Sequence, residues 1–389
     1  MKQWFRTVLA CALLAGSLAV SAAAADYTVC ADHLKDLGLF QGTAQGYELD
    51  RALTRGEAAV MLVRLLGEEQ NALTLEYSAP FEDLQGWEKP YVQYLYDMGA
   101  TTGVSETTFA PEEPCTAQMY AAFVLRALGY TEADGDFAYT SVNDFAQRIG
   151  LYDASVIDTE NFLRDDVVAA SYTALSLMPK GSEQMLLDQL VENDAVDAQA
   201  AEPYRALFDL YGQYRTATAD MAAFEQFSVR GGLEAVLSEE GAKRLTVRTE
   251  DYTMVNRVDG TAISEGTLTL EAPGVDAYTQ PYSTDAAGET DSVRAALLYG
   301  YDKVPLACVD TMKRSGSDWT FSFTDLPARY EGCFWALSKS GVELEHAEDA
   351  VLVQTVQNGR ISFQTLRLKL MQGDAECQVV LTGELKEAH

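Results

Sequence analysis

The stretch "VMLVRLLG" at 60–67 returns as "AFVLRALG" at 122–129, and Thr54 falls on Thr116 under the same shift. A repeat of this kind constrains the fold strongly. One copy cannot bury its own apolar stripe, so the copies must stack on one another. Upstream, "DLGLFQG" (36–42) matches "DMGATTG" (97–103), which sets Gly38 on Gly99 and Gly42 on Gly103. A third, more divergent copy has "RIGLYDA" (148–154) for the glycine turn. Its helix is "NFLRDDVVAASYTALSL" (161–177), with Arg164 in the place of Arg55. Each copy reads as helix, glycine-punctuated turn, extended link, helix.

The second helix of the first copy carries its own start and stop signals. In "YELDRALTRGEAAVMLVRLLG" (47–67), Thr54 serves as N-cap and Glu57, three residues on, completes a capping box. Ala58, Met61, Leu62, Leu65 and Leu66 recur at helical spacing. Gly67 is placed to end the helix in a left-handed conformation. Arg55 then stands at the first helical position, where the helix dipole disfavours a cation by roughly a few tenths of a kcal/mol. An arginine beside unpaired N–H groups suits an anionic ligand. A solvated arginine with no partner is the plainer alternative.

These residues resemble the S-layer homology family. Its pattern is an aromatic–x–Asp start, a Trp, a leucine-rich helix, a glycine turn, Phe–x–Pro, and a Thr-Arg-Ala-Glu-like helix start. The second copy shows the front of that pattern in "FEDLQGWEKPYVQYLYDMGATTG" (81–103), with Phe81, Asp83, Trp87, Gly99 and Gly103, followed by "FAP" (109–111). The first copy supplies the back in "LTRGEAAVMLVRLLG". The segment "LSLMPKGSEQMLLDQLVENDAV" (175–196) is similar to the closing helix of a third repeat. The resemblance covers roughly 27–198.

It implies an all-α, three-pronged pseudo-trimer that holds an exported protein on the cell wall by binding an anionic secondary wall polysaccharide. Carried over by motif, Arg55 and Arg164 would meet carboxylate or phosphate groups. Gly42 and Gly103 would let backbone approach the sugar. Trp87 would pack on a sugar face or brace the groove, and Asp83 would orient hydroxyls. Other roles compete with these: Glu57 as a helix cap, Trp87 as core, Gly38 and Gly99 as turn formers only. The second copy departs from the pattern, with Ala117 for the arginine and Met119 for the glutamate. The third copy has Ala154 at the second glycine, and neither it nor the first has a Trp in this position. One or two working grooves are therefore expected.

Charge narrows the partners. The chain carries 59 acidic against 28 basic residues, a net charge of −31. Such a surface repels nucleic acid and anionic lipid. The start, "MKQWFRTVLACALLAGSLAVSAAAADY", has Lys2 and Arg6, an apolar run from about Val8 to Val20, then small residues. It reads as a secretory signal peptide, 1–25, cleaved near Ala25. After Asp26 no apolar run is long enough to span a bilayer, so no membrane insertion is expected once the signal is cleaved. Cys30, Cys115, Cys308, Cys333 and Cys377 form no disulfide framework or zinc pattern, and His33, His346 and His389 form no metal constellation. No cofactor is implied.

From about Pro203 the texture changes. "PYRALFDLYGQYRTATADMAAFEQF" is helical, with Leu207, Leu210, Tyr211 and Tyr214 on one face. After Phe227 the period becomes two. "WTFSFTD" alternates Trp319, Phe321 and Phe323 with polar residues, and reads as one core face. "VLVQTVQNGRISFQTLRLKL" holds two strands joined at Asn358–Gly359, a hairpin signal. "EGTLTLEAP" and "CQVVLTGEL" read as further strands, and Pro273–Ser292 as a loop.

The organisation expected is a signal peptide (1–25), repeats at 26–75, 76–135 and 136–200, and an α+β domain with a mainly antiparallel sheet at 201–389. No nucleophile elbow, zinc-protease motif or phosphate-binding loop is present, and a non-enzymatic role is expected. "EADGD" (132–136) lacks full calcium-loop spacing and reads as a linker. Two functions remain open. One is a wall-anchored display protein. The other is a wall-tethered carrier or sensor binding an apolar ligand in the sheet domain, by a weak likeness in element order to the half-barrels of lipoprotein carriers. The partner of the second half is not legible.

Overall fold

In the computed structural model, which describes residues 27–256, 261–285, 303–323, 346–372 and 375–388, the helices of the repeats come in pairs split by an extended link. The first pair is α1 (Thr28–Asp36) and α2 (Arg55–Leu65), followed by the single turn α3 (Glu69–Ala72). Next come α4 (Lys89–Asp97) with α5 (Ala117–Ala127), and α6 (Val142–Ile149) with α7 (Arg164–Leu175). Two more helices follow, α8 (Leu186–Glu192) and α9 (Ala198–Ala217). Residues 1–25, read as a signal peptide, lie outside the described residues. The chain divides into two units, one of Ala24–Asp209 with Pro305–Ala307, the other holding Leu210–Val304 and Cys308–His389.

The first helix of each pair closes on the same cap. Gly38, Gly99 and Gly150 take positive φ (76°, 76° and 85°). The next residue, Leu39, Ala100 or Leu151, donates its N–H to the carbonyl of Leu34, Leu95 or Ala146, at 2.8 Å each time. That is the Schellman arrangement, which needs a residue free to go left-handed. The second helices start alike. Thr54 Oγ1 accepts the Glu57 N–H at 3.2 Å, and the Glu57 carboxylate accepts the Thr54 N–H at 3.0 Å. Thr116 accepts the Met119 N–H at 3.2 Å, but Met119 has no acceptor to return the bond.

The links knit the copies together. Cys115 N–H donates to Leu53 O at 2.7 Å, and Ala52 bridges to Leu163. The N–H groups of Arg55 and Gly56, at the start of α2, are taken up by Glu113 O and Pro111 O of the second copy. Those of Arg164 and Asp165, at the start of α7, are taken up by Arg51 O and Leu49 O of the first. Around these links Leu53, Leu62, Phe109, Tyr120 and Tyr172 are fully buried. Burial also pushes the Cys115 thiol up to about 12.

The second unit is built on one nine-stranded antiparallel sheet in the order β4-β3-β2-β1-β9-β8-β7-β6-β5. Its strands are β1 (Gln226–Glu239), β2 (Ala242–Asn256), β3 (Thr261–Glu271), β4 (Tyr278–Asp285), β5 (Thr311–Ser315), β6 (Asp318–Phe323), β7 (His346–Gln357), β8 (Arg360–Gln372) and β9 (Ala375–Ala388). Two meanders thus meet where β1 pairs with β9. Asn358 (φ 52°) and Gly359 (φ 77°) turn the β7–β8 hairpin, as a primed turn requires.

Trp319, Phe321 and Phe323 are buried, so the alternation read in β6 is a core face. Tyr214, near the end of α9, lies edge-on to Phe321 with ring centroids 4.9 Å apart. Its hydroxyl donates to Gln354 Oε1 at 2.6 Å, and Gln354 Nε2 donates to Gln364 Oε1 at 3.1 Å. One reading fails here. Part of Pro273–Ser292, read as a loop, is β4. Its Thr and Tyr residues pair along β3, and Pro281 is tolerated because β4 is an edge strand.

Candidate functional site

A groove of about 500 Å³ opens in the first unit where the three copies meet. Gln41, Gly42 and Thr43 of the first glycine turn form one lip, and Gly86, Trp87 and Pro90 of the second copy form another. Glu57, Val60, Met61 and Arg64 of α2 lie along it, with Leu73 and Tyr91, and Arg164, at the first position of α7, closes it. Trp87 is 52% exposed, so its indole is a wall of the groove and not core. Gly56 packs beneath it: a Cβ there would stand 3.4 Å from Trp87 Cη2, at ordinary contact distance.

Arg164 is 5% exposed, and its buried Nε has no hydrogen-bond partner. The guanidinium lies 5.4 Å from the centroid of the Phe40 ring. Burial pulls its pKa down and nearby Arg51 and Arg64 add to that, while Glu57 and Glu48 oppose them. Those neighbours are occupied with each other. Arg51 holds Glu57 through both guanidinium ends, at 2.9 and 2.6 Å, and Arg64 holds Glu69 at 2.8 Å. Burial works against the charge of Glu57, but Arg51 and the Thr54 N–H together hold its carboxyl below the usual range. The groove therefore presents a desolvated cation with an unpartnered Nε, near the Arg51-bound carboxylate of Glu57, beside an exposed indole.

The other residues singled out in the sequence stand elsewhere. Arg55 is 4% exposed and does not line this groove. Its Nε–H donates to Phe109 O at 2.9 Å. Its guanidinium lies 4.7 Å from the Phe109 ring and 5.5 Å from the Phe123 ring. Asp83 uses both carboxylate oxygens on backbone, accepting the Phe109 N–H at 2.9 Å and the Ala110 N–H at 2.7 Å. Gly103 has φ 76°, and a Cβ there would stand 2.4 Å from Phe81 and 2.7 Å from the carbonyls of Ser105 and Thr108. At the start of α5, in the second copy, Ala117 stands where the motif would have an arginine, and its carbonyl accepts the buried Tyr152 hydroxyl at 2.8 Å.

Structure thus brings Gly42, Trp87 and Arg164 together, and leaves Arg55, Asp83 and Gly103 apart from them. Motif reading missed Thr43, Met61 and Arg64 as groove residues. Arg64 sits at the far end of α2 and recurs as Arg126 in the repeat, but only the fold sets it beside Arg164. The acidic "EADGD" segment is pinned by Lys180, whose Nζ lies 3.0 Å from Asp134 and 2.6 Å from Asp136. Among the described residues no group of three or more His, Cys, Asp or Glu could hold a metal ion, and no helix is long and apolar enough to cross a membrane.

Comparison with known proteins meets this geometry at the second copy. Residues 80–116 match the S-layer homology domain. That span contains Phe81, Asp83, Trp87, Gly99 and Gly103. The chain is 38% identical over 81 residues to an endoglucanase of Bacillus sp. (strain KSM-635), which covers 21% of the chain and 8% of the enzyme. It is 30% identical over 109 residues to the middle cell wall protein of Brevibacillus brevis (27% and 10%). It is 28% identical over 143 residues to a surface layer protein of Brevibacillus choshinensis (33% and 13%). The chain thus spans only a small part of the length of these relatives. Among solved structures, a DUF1329 family protein from Desulfovibrio piger aligns over 48% of this chain and 92% of its own at 9% identity, with a TM-score of 0.16, too low to carry a shared fold.

Proposed function

We propose that this chain anchors an exported protein non-covalently to the cell wall, by binding an anionic secondary wall polysaccharide in the groove of Arg164, Trp87 and Gly42. The observation that carries this reading is the pairing, in one open groove, of a buried arginine with an unpartnered Nε and a half-exposed tryptophan. An acidic sugar offers what both lack: a carboxylate or phosphate for the guanidinium and a C–H face for the indole. The S-layer homology match and the relatives named as cell wall and surface layer proteins support the same reading. A cell-surface location goes with it. The three copies at 26–200 form a three-pronged pseudo-trimer, and 201–389 serves as a display or interaction domain. The role is structural and not enzymatic; the endoglucanase match covers too little of that enzyme to bring its activity here.

The test is co-sedimentation of the full chain with cell-wall sacculi, set against sacculi stripped of their secondary polymer. Binding to intact sacculi that disappears on stripping supports the reading. Equal sedimentation with both preparations, or with neither, overturns it.

A further inference from the structure

Resting on that reading, we infer that the repeat block holds a single anion site, at Arg164, which takes a carboxylate on its guanidinium, and that Arg55 is a structural cation. Both arginines open a helix, and both are about equally buried. Their hydrogen bonding differs. Arg55 Nε–H is already spent on Phe109 O, and the flat guanidinium packs on Phe109 and Phe123, two rings stacked within 9° of parallel. Asp83, which fixes the Phe109–Ala110 backbone, adds its negative charge nearby. What Arg55 does is tie α2 to the link of the second copy.

Arg164 has no such internal acceptor. A buried, unsatisfied N–H leaves the guanidinium short of partners, and among the two helix-opening arginines only Arg164 lines the groove. A carboxylate with two oxygens matches two N–H groups of a guanidinium; an ammonium cannot make that fork. The start of α5, in the second copy, offers no cation, since Ala117 stands there. One site per chain makes the anchorage monovalent, without the avidity that linked sites would add.

The experiment uses the full chain with intact and stripped sacculi, in four forms: unchanged, Arg164→Lys, Arg164→Gln and Arg55→Met. Methionine keeps the length and apolar contact of Arg55 over the rings and removes its charge. Near-ultraviolet circular dichroism checks that each form is folded. A second readout is native mass spectrometry with oligosaccharides released from the same sacculi by mild acid, which counts molecules bound per chain. The inference expects at least tenfold weaker binding for both Arg164 forms, the lysine included. It expects wild-type affinity for Arg55→Met and one oligosaccharide per chain. A folded Arg55→Met that binds tenfold more weakly, an Arg164→Lys that binds normally, or a count of two or more overturns the inference and leaves the anchoring reading standing. Failure of the unchanged chain to prefer intact sacculi removes both. Should Arg55→Met not fold, the count per chain decides alone.

Discussion

The starts of α2 and α7 carry the same residue in the same place and end up in different circumstances. At α2, Arg55 is closed in by the Phe109 carbonyl, two aromatic rings and the Asp83-braced link. At α7, Arg164 rests on one ring and lines the groove, and its buried Nε has no acceptor. A helix-start arginine is thus neither binder nor brace by virtue of its motif. What decides is whether the neighbouring copy delivers an acceptor to its inner edge.

The sharpest way to break this contrast is through the glycines that the repeat aligns. Gly103→Ala puts a Cβ into two carbonyl oxygens at 2.7 Å with φ at 76°, and should destabilise the first unit by more than about 3 kcal/mol. Gly42→Ala meets only Gly46 O at 3.0 Å and Tyr47 Cδ1 at 3.1 Å, and should cost about 1 kcal/mol. Urea unfolding followed by tryptophan fluorescence gives both. Equal losses would mean that the two turns are equivalent.

Asp83→Ala removes both acceptors from the Phe109 and Ala110 N–H groups. It should cost about 2–3 kcal/mol while leaving wall binding intact whenever the chain is folded. A loss of binding larger than the loss of folded protein would move Asp83 into the site.

The two helix starts should also respond to pH with opposite signs. Burial raises the Asp166 carboxyl to about 6, while its oxygens accept the Leu163 and Asp158 N–H groups. Its stabilising contribution is complete below the unfolded value of about 4 and is lost as pH rises through about 6, a change on the order of 1–3 kcal/mol. Glu57 is lowered, so its contribution is present above about 4.3 and is lost as pH falls through its folded value. Unfolding free energies from pH 3 to 7 for Asp166→Asn and Glu57→Gln should show each variant without its own slope. The smallest effect expected is at the caps. Thr54→Ala, which breaks a reciprocal box, should cost about 1 kcal/mol, and Thr116→Ala, which breaks a one-way cap, about 0.5 kcal/mol, by the same unfolding assay.

Much of the architecture was legible because it rests on local rules. Glycine after a helix, threonine before one, and Glu57 three residues on each act within a single turn of chain. The period-two run at Trp319, Phe321 and Phe323 showed a buried strand face for the same reason. Where long-range pairing decides, reading failed: Tyr278–Asp285 looks like loop until β3 supplies its hydrogen-bond partner.

By itself, then, the sequence determined the repeated helix caps, the alternating strands, the Asn358–Gly359 turn and which helices begin with arginine. Tertiary structure alone decided which arginine is left with an unsatisfied donor. The carbonyl that takes up the Arg55 Nε–H lies 54 residues further along the chain, and Arg51 and Arg64, which crowd Arg164, reach it only through the packing of the first copy on the third. Local preference acts over a turn of helix, whereas the partners of a buried charge are set by whatever the fold brings within 3 or 4 Å of it.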